Sequence, residues 1–499
     1  MNPQGTRAVK LESNRHHRPA AASGRKIALG AAAFGAVNIF RAVVQLLLLP
    51  VMARLLGPAE FGLYALALPT VALVALLSDG GLGYTLARED EASSVVWSSA
   101  VWVLLFLGFI LAVGVSLFGM LLGYLSSEPR LPAIISVLSI SLIFLTISVV
   151  PSARLIRRKN LGAGAGADLS GVISGALVAV ILAKNGAGAW SLALQYVTNY
   201  IVRALVLNCA AFYLPRAEFS FAALGSHLMS GGILVTSRIV DYAGRLTENF
   251  IINYVFGSTV LGNYTFANQI SRFSTEAVSN VVWGALYAQA LTGDRTEIPI
   301  LHRRLCRMLG IILFPSMFLA AAAAPELVDV LLGPKWIDLS LYLRILLPIW
   351  ACQVICTQAV ALIVAYGRFD VQFWSSSGFG LARVIAVCLA PLIGLSGTIF
   401  AIGFVTLIYC VVMLIVASKL AECRALPLLR SLAAPAFSAT MGAGLYLILI
   451  ERSPVNHLWT FTSLASGFAV YAVCMVLIDR KTLLSDWKSI RELLAHRGV

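Results

Sequence analysis

Apolar runs of about twenty residues recur from residue 28 to residue 478, each ended by a short polar or glycine-rich break. A helix rises 1.5 Å per residue, so ~20 apolar residues cross a hydrocarbon layer of ~30 Å. Fourteen stretches read as such spans: 28–50, 61–83, 95–123, 131–151, 166–183, 189–213, 229–255, 262–287, 306–324, 341–365, 374–393, 396–418, 432–450 and 459–478. The stretches 166–183 and 374–393 are the weakest, and without them the count is twelve. The pattern predicts an all-α polytopic membrane protein with no polar segment long enough for a separate soluble domain.

Composition agrees: 59% of the 499 residues are hydrophobic and only 12% are charged, against roughly 25% charged in soluble chains. The net charge of +14 does not require nucleic acid, because the basic residues are sorted by side. With the N-terminus in the cytoplasm, 25 Lys and Arg fall in cytoplasmic segments and 5 in outer ones, which predicts that both termini are cytoplasmic. Residues 1–26 form a basic tail, and the apolar run after it continues into further spans rather than ending at a cleavage site. At the other end, "LLSDWKSIRELLAHR" reads as an amphipathic helix lying against anionic membrane lipids, with Arg480, Lys481, Lys488 and Arg491 in the same segment. The eight cysteines sit in or beside apolar runs. Cys352 and Cys356 share a helix face, but no His or second Cys pair joins them, so no metal or cofactor is expected.

The chain also repeats. Residues 57–67, "GPAEFGLYALA", align with 257–267, "GSTVLGNYTFA": Gly57 with Gly257, Gly62 with Gly262, Tyr64 with Tyr264 and Ala67 with Ala267. Both copies occupy the outer hairpin between the first two spans of a half. Six spans separate them, so the halves run in the same direction. A parallel repeat of this kind predicts two six-helix lobes related by a pseudo-twofold along the membrane normal, with two further helices at the C-terminus. The expected divisions are a tail at 1–26, an N-lobe at 27–214, a C-lobe at 215–420, two extra helices at 421–478 and a cytoplasmic tail at 479–499.

Charges inside the spans supply the candidate chemistry. Arg238, Asp241, Arg245 and Glu248 fall within a quarter-turn of one helix face. The repeat maps them onto Asn38, Arg41, Gln45 and Leu48. Another span carries Asn268, Arg272, Thr275, Glu276 and Ser279; a third carries Gln195, Asn199 and Arg203; a fourth holds Arg383. A charge facing lipid costs several kcal/mol, so these side chains face a bundle interior or a watery cavity. Some pair along their own helix. Yet seven Arg lie within or at the edges of spans against about four acids, including Asp168, so the surplus is cationic. Guanidinium groups clamp phosphate with two parallel hydrogen bonds and keep their charge. Arg41, Arg203, Arg238, Arg245, Arg272 and Arg383, with Asn38 and Gln45, are therefore the candidates for an anionic substrate. Asp241, Glu248 and Glu276 are candidates for coupling to a proton or sodium gradient. No catalytic pair, Walker A or HExxH pattern is found, and an enzyme is not expected. "GAGAGAD" at 162–168 follows no strand and reads as a small-residue packing face.

The stretch 41–88, "RAVVQLLLLPVMARLLGPAEFGLYALALPTVALVALLSDGGLGYTLAR", resembles the opening of bacterial polysaccharide transporters, the Wzx-type oligosaccharide flippases of the MOP superfamily. "LGNYTFANQISRF" at 261–273 and "LLGPKWIDLSLYLRILL" at 331–347 resemble later hairpins of that family. The resemblance implies a V-shaped cavity between two lobes that opens alternately to either side of the bacterial inner membrane. The implied substrate is an undecaprenyl-pyrophosphate-linked oligosaccharide moved from the cytoplasmic to the periplasmic leaflet, and the implied partners are a polysaccharide polymerase and chain-length machinery. A lipid II flippase shares the pyrophosphate chemistry and stays open as an alternative. A MATE-type exporter, with mostly cationic substrates, suits an Arg surplus less well. A polymerase usually carries a large periplasmic loop, and the longest outer loop here is about 325–340.

Overall fold

The computed structural model describes residues 37, 40, 41, 43–75, 78, 86, 94–126, 128–158, 160–213, 215–220, 244–272, 298–366, 368–420, 425–451 and 457–495. Among them every regular element is helical. The first half contains α1 (Val43–Leu55), α2 (Pro58–Ala75), α3 (Ser94–Ser126), α4 (Leu131–Ile147), α5 (Val149–Arg157), α6 (Leu161–Lys184) and α7 (Ala189–Ala211). The second contains α8 (244–256), α9 (258–272), α10 (Ile298–Ala322), α11 (Ala324–Leu331), α12 (Leu339–Ala365), α13 (Phe369–Cys388) and α14 (Ala390–Leu420). Two more helices follow, α15 (Ala425–Glu451) and α16 (His457–Ala495). Nine helices among the described residues are long and apolar enough to cross a membrane.

Each predicted span meets a helix, although 28–50, 61–83, 229–255 and 262–287 lie partly outside the described residues. The two weakest stretches are helical as α6 and α13. Breaks follow local chemistry. The span 131–151 continues to Arg157 across a bend at Ser148, whose hydroxyl donates to the Phe144 carbonyl at 2.7 Å. Helix α14 is interrupted at Gly394, with φ 71° and ψ 179°, a region open essentially to glycine alone. Helix α16 departs from helical angles at Asp479, the boundary expected between the last span and the tail. There the Arg307 guanidinium of α10 lies 2.9 Å from the Asp479 carboxylate.

Within the first half α6 packs along α7, and α4 packs against α2, α3 and α7. Within the second, α12 lies between α10 and α14, α13 packs on α14, and α15 joins α10 to α16. Large apolar side chains such as Phe106, Phe109 and Leu117 point outward from α3, as a lipid-facing surface requires. The α6–α7 seam is close because a Cβ at Gly171 or Gly175 would stand 2.6 Å from Asn199 O or 2.7 Å from Gln195 O. Small residues bring backbones together in this way where lipid offers no hydrophobic drive between helices. In the predicted packing face, Gly164 and Gly166 meet nothing within 4 Å, and the close approach falls one to three turns later.

Candidate functional site

The two halves meet through the repeated hairpins. A Cβ built on Gly62 of α2 would lie 2.6 Å from Ser258 C, and one on Gly262 of α9 would lie 2.7 Å from Pro58 C. The contact is reciprocal, as a twofold crossing demands, and only glycine permits it at both positions. Around it Phe61 packs on Phe266 (centroids 4.9 Å apart), and both pack on Trp336 at 5.3 and 4.6 Å. The Trp336 indole donates to Ala53 O at 2.8 Å, and Arg54 donates to Val330 O and Leu331 O at 2.6 and 2.9 Å. The Asn249 amide reaches across to Ala65 O at 2.9 Å. Gly333 and Pro334–Trp336 thus act as a plug that seats the second half against the end of α1. The lobes are closed at the hairpin end.

Away from that end each half holds its own charge cluster. In the first, Arg203 Nε of α7 donates to Asp168 Oδ1 of α6 at 2.5 Å, while Arg41 Nη1, just upstream of α1, lies 3.5 Å from Asp168 Oδ2. The α6–α7 seam explains the meeting: Gln195 faces Gly175, Asn199 faces Gly171, and one turn further Arg203 reaches Asp168. These three side chains are only partly covered, with 36% of Arg41, 27% of Arg203 and 32% of Asp168 exposed.

The second half inverts the signs. Glu248 of α8 is buried and accepts from Arg383 Nη2 of α13, 2.9 Å from both carboxylate oxygens. The Tyr264 hydroxyl of α9 donates to the same carboxylate. Tyr264 is placed in turn by Asn268, whose amide donates to Tyr264 O at 3.2 Å and whose oxygen accepts from Trp350 Nε1 at 3.2 Å. In both halves a charge on the first helical segment meets an opposite charge on the fifth. The first half supplies Arg then Asp, the second Glu then Arg. Arg41 precedes Gly57 by sixteen residues and Glu248 precedes Gly257 by nine. At 1.5 Å per residue the clusters therefore lie ~24 Å and ~14 Å from the closed end.

Of the other sequence candidates, Gln45 is exposed on α1, Arg245 is exposed on α8 and Arg272 is half-buried on α9. Asn38, Arg238, Asp241 and Glu276 lie outside the described residues. Arg245 and Glu248 were expected to share one face; the first is exposed and the second is covered by Arg383 and Tyr264. Asp168 and Tyr264 were not among the expected site residues. Asp168 was visible as an acid within a span, and Tyr264 as one of the repeated positions.

In fold, this arrangement of two helix groups that meet through one hairpin each is similar to a multidrug resistance MATE family transporter of the MOP superfamily, with a TM-score of 0.55 over 78% of this chain and 96% of that one, at 16% identity. The lipid II flippase MurJ in its inward closed conformation superposes with a TM-score of 0.74 over 90% of this chain and 99% of that one, at 11% identity, a likeness of fold. The chain belongs to the polysaccharide biosynthesis protein family, whose profile matches residues 51–341, more than half of its length. The succinoglycan biosynthesis transport protein ExoT of Rhizobium meliloti is 25% identical over 448 residues, 87% of this chain and 89% of the relative. The lipopolysaccharide biosynthesis protein WzxC of Escherichia coli is 25% identical over 329 residues, 65% of this chain; the chain thus spans 66% of WzxC's length, just under two thirds.

Proposed function

We propose that the protein flips an undecaprenyl-pyrophosphate-linked oligosaccharide from the cytoplasmic to the periplasmic leaflet of the bacterial inner membrane, for O-antigen, exopolysaccharide or capsule synthesis. Membership of a polysaccharide biosynthesis family, and relatives named for lipopolysaccharide biosynthesis and for succinoglycan biosynthesis transport, support the substrate class. The observation that carries the mechanism is the reciprocal Gly62–Gly262 contact with its aromatic plug. It closes one end of a gap between lobes, as one state of an alternating-access cycle requires. In this reading the protein has fourteen spans, both termini in the cytoplasm and the lobe boundaries expected from the repeat. The hairpin end is then periplasmic, and substrate enters from the opposite, cytoplasmic end. Arg41, Arg203, Arg238, Arg245 and Arg272 face the pyrophosphate, Asp241 and Glu276 serve ion coupling, Glu248 being held by Arg383, and a polymerase with its chain-length machinery receives the product. The protein moves its substrate without altering covalent bonds.

The test is reconstitution into liposomes with a fluorescent undecaprenyl-pyrophosphate glycan, following leaflet accessibility with and without a proton or sodium gradient. Protein-dependent translocation supports the reading, and a response to the gradient supports coupling. Folded protein that leaves this lipid in place but exports an organic cation would overturn it in favour of a drug exporter.

A further inference from the structure

The two charge clusters differ in ways that assign them different work. In the second half one Arg meets one Glu, the carboxylate is 7% exposed, and a tyrosine hydroxyl adds a further hydrogen bond. That arrangement is neutral and covered, as an internal brace between α8, α9 and α13 should be. In the first half two guanidinium groups share one carboxylate among the described residues, and all three side chains stay about one-third open. The cluster therefore keeps a surplus positive charge on an accessible face. It also lies ~10 Å farther from the closed end than its counterpart.

The sharing is unequal. Arg203 is held at 2.5 Å, whereas Arg41 stands 3.5 Å away, beyond a good charge-assisted hydrogen bond. We propose that Asp168 is a built-in counter-anion: it parks Arg41 in the empty transporter and gives it up to the diphosphate of the incoming lipid, while Arg203 keeps Asp168 in place. The Arg41–Asp168–Arg203 cluster is then the entry subsite for the diphosphate, and Glu248–Arg383–Tyr264 is a brace. This assignment rests on the flippase reading above. Its physical content is a competition between two anions for one guanidinium, so removing the internal anion strengthens substrate binding. A residue that merely held the fold together would have no such effect.

The experiment measures binding of undecaprenyl pyrophosphate, with undecaprenol as the neutral comparison, to the full-length protein in nanodiscs. Asp168→Asn is expected to bind the diphosphate lipid severalfold more tightly than the natural protein. Arg41→Gln is expected to bind it roughly tenfold more weakly, the loss of one charge-assisted contact. Arg368→Gln, which removes one positive charge from an exposed ion pair outside the cluster, is the comparison for Arg41→Gln. Binding by Asp168→Asn that is unchanged or weaker, in protein with an intact unfolding transition, overturns the proposal. Arg41→Gln leaves the Arg203–Asp168 pair in place, so it decides the matter if Asp168→Asn fails to fold: unchanged affinity overturns the assignment. If the natural protein prefers the diphosphate to undecaprenol but no variant moves the affinity, only the subsite is wrong. If the natural protein shows no such preference, the flippase reading falls with it.

Discussion

Gly62→Ala is the sharpest perturbation of the closed end. The added Cβ would stand 2.6 Å from Ser258 C and 3.0 Å from Gly262 N, and closer still to Ser258 O. Carbon atoms pack at about 3.5–4.0 Å, so α2 and α9 must separate by about 1 Å or more. The obstructing atoms are backbone and cannot rotate away as a side-chain tip would. Overpacking of this kind costs about 1–3 kcal/mol. The cost falls on the closed state alone, because open lobes do not bring these backbones together. At 1.4 kcal/mol per decade, the closed-to-open ratio drops about 5- to 150-fold. Spin labels at Tyr124→Cys and Ile337→Cys report the change, since both positions are exposed, one in each half near the hairpin end. Their distance distribution in nanodiscs should gain a longer component in Gly62→Ala that is weak in the natural protein. An unchanged distribution in folded Gly62→Ala would refute the view that this crossing governs closure.

Breaking the brace should cost stability: Glu248→Gln or Arg383→Gln lowers it by about 2–4 kcal/mol, less than for a fully dry pair because the Arg383 side chain is 24% exposed. Thermal unfolding of each single variant and of the apolar pair Glu248→Leu/Arg383→Met checks this, the pair being expected near the natural protein because neither charge is left alone. Gly394→Ala should cost about 1–3 kcal/mol, since φ 71° with ψ 179° admits a side chain only under strain; a transition temperature equal to the natural protein's would contradict it.

Much of the fold is written in the chain because a bilayer leaves few choices. An apolar run of ~20 residues must become a helix, since only a helix satisfies its own backbone there. The two weakest expected spans, 166–183 and 374–393, are helical as α6 and α13, although only α6 is among the nine helices long and apolar enough to cross a membrane. The repeat was legible as well, and its Gly62 and Gly262 prove to be the residues through which the halves touch. The charge pairs were not legible. Arg203 finds Asp168 across 35 positions and Arg383 finds Glu248 across 135, and helical period reports only which residues share a face of their own helix. A quarter-turn face is also wide enough to send neighbours different ways. Arg245 and Glu248 lie on one such face, yet Glu248 tucks under Tyr264 while Arg245 stays open. The Trp336 plug escaped notice for the same reason: its carbonyl partner at Ala53 lies 283 positions away.

The central claim is that substrate crosses only if the hairpin end can open. The most direct measurement is translocation of the fluorescent lipid-linked glycan by a Phe61→Cys/Phe266→Cys variant joined by a short reducible thiol cross-linker, these rings being 4.9 Å apart. Translocation should stop on cross-linking and return on reduction. Continued translocation at the uncross-linked rate, with the link shown to be complete, would contradict the account.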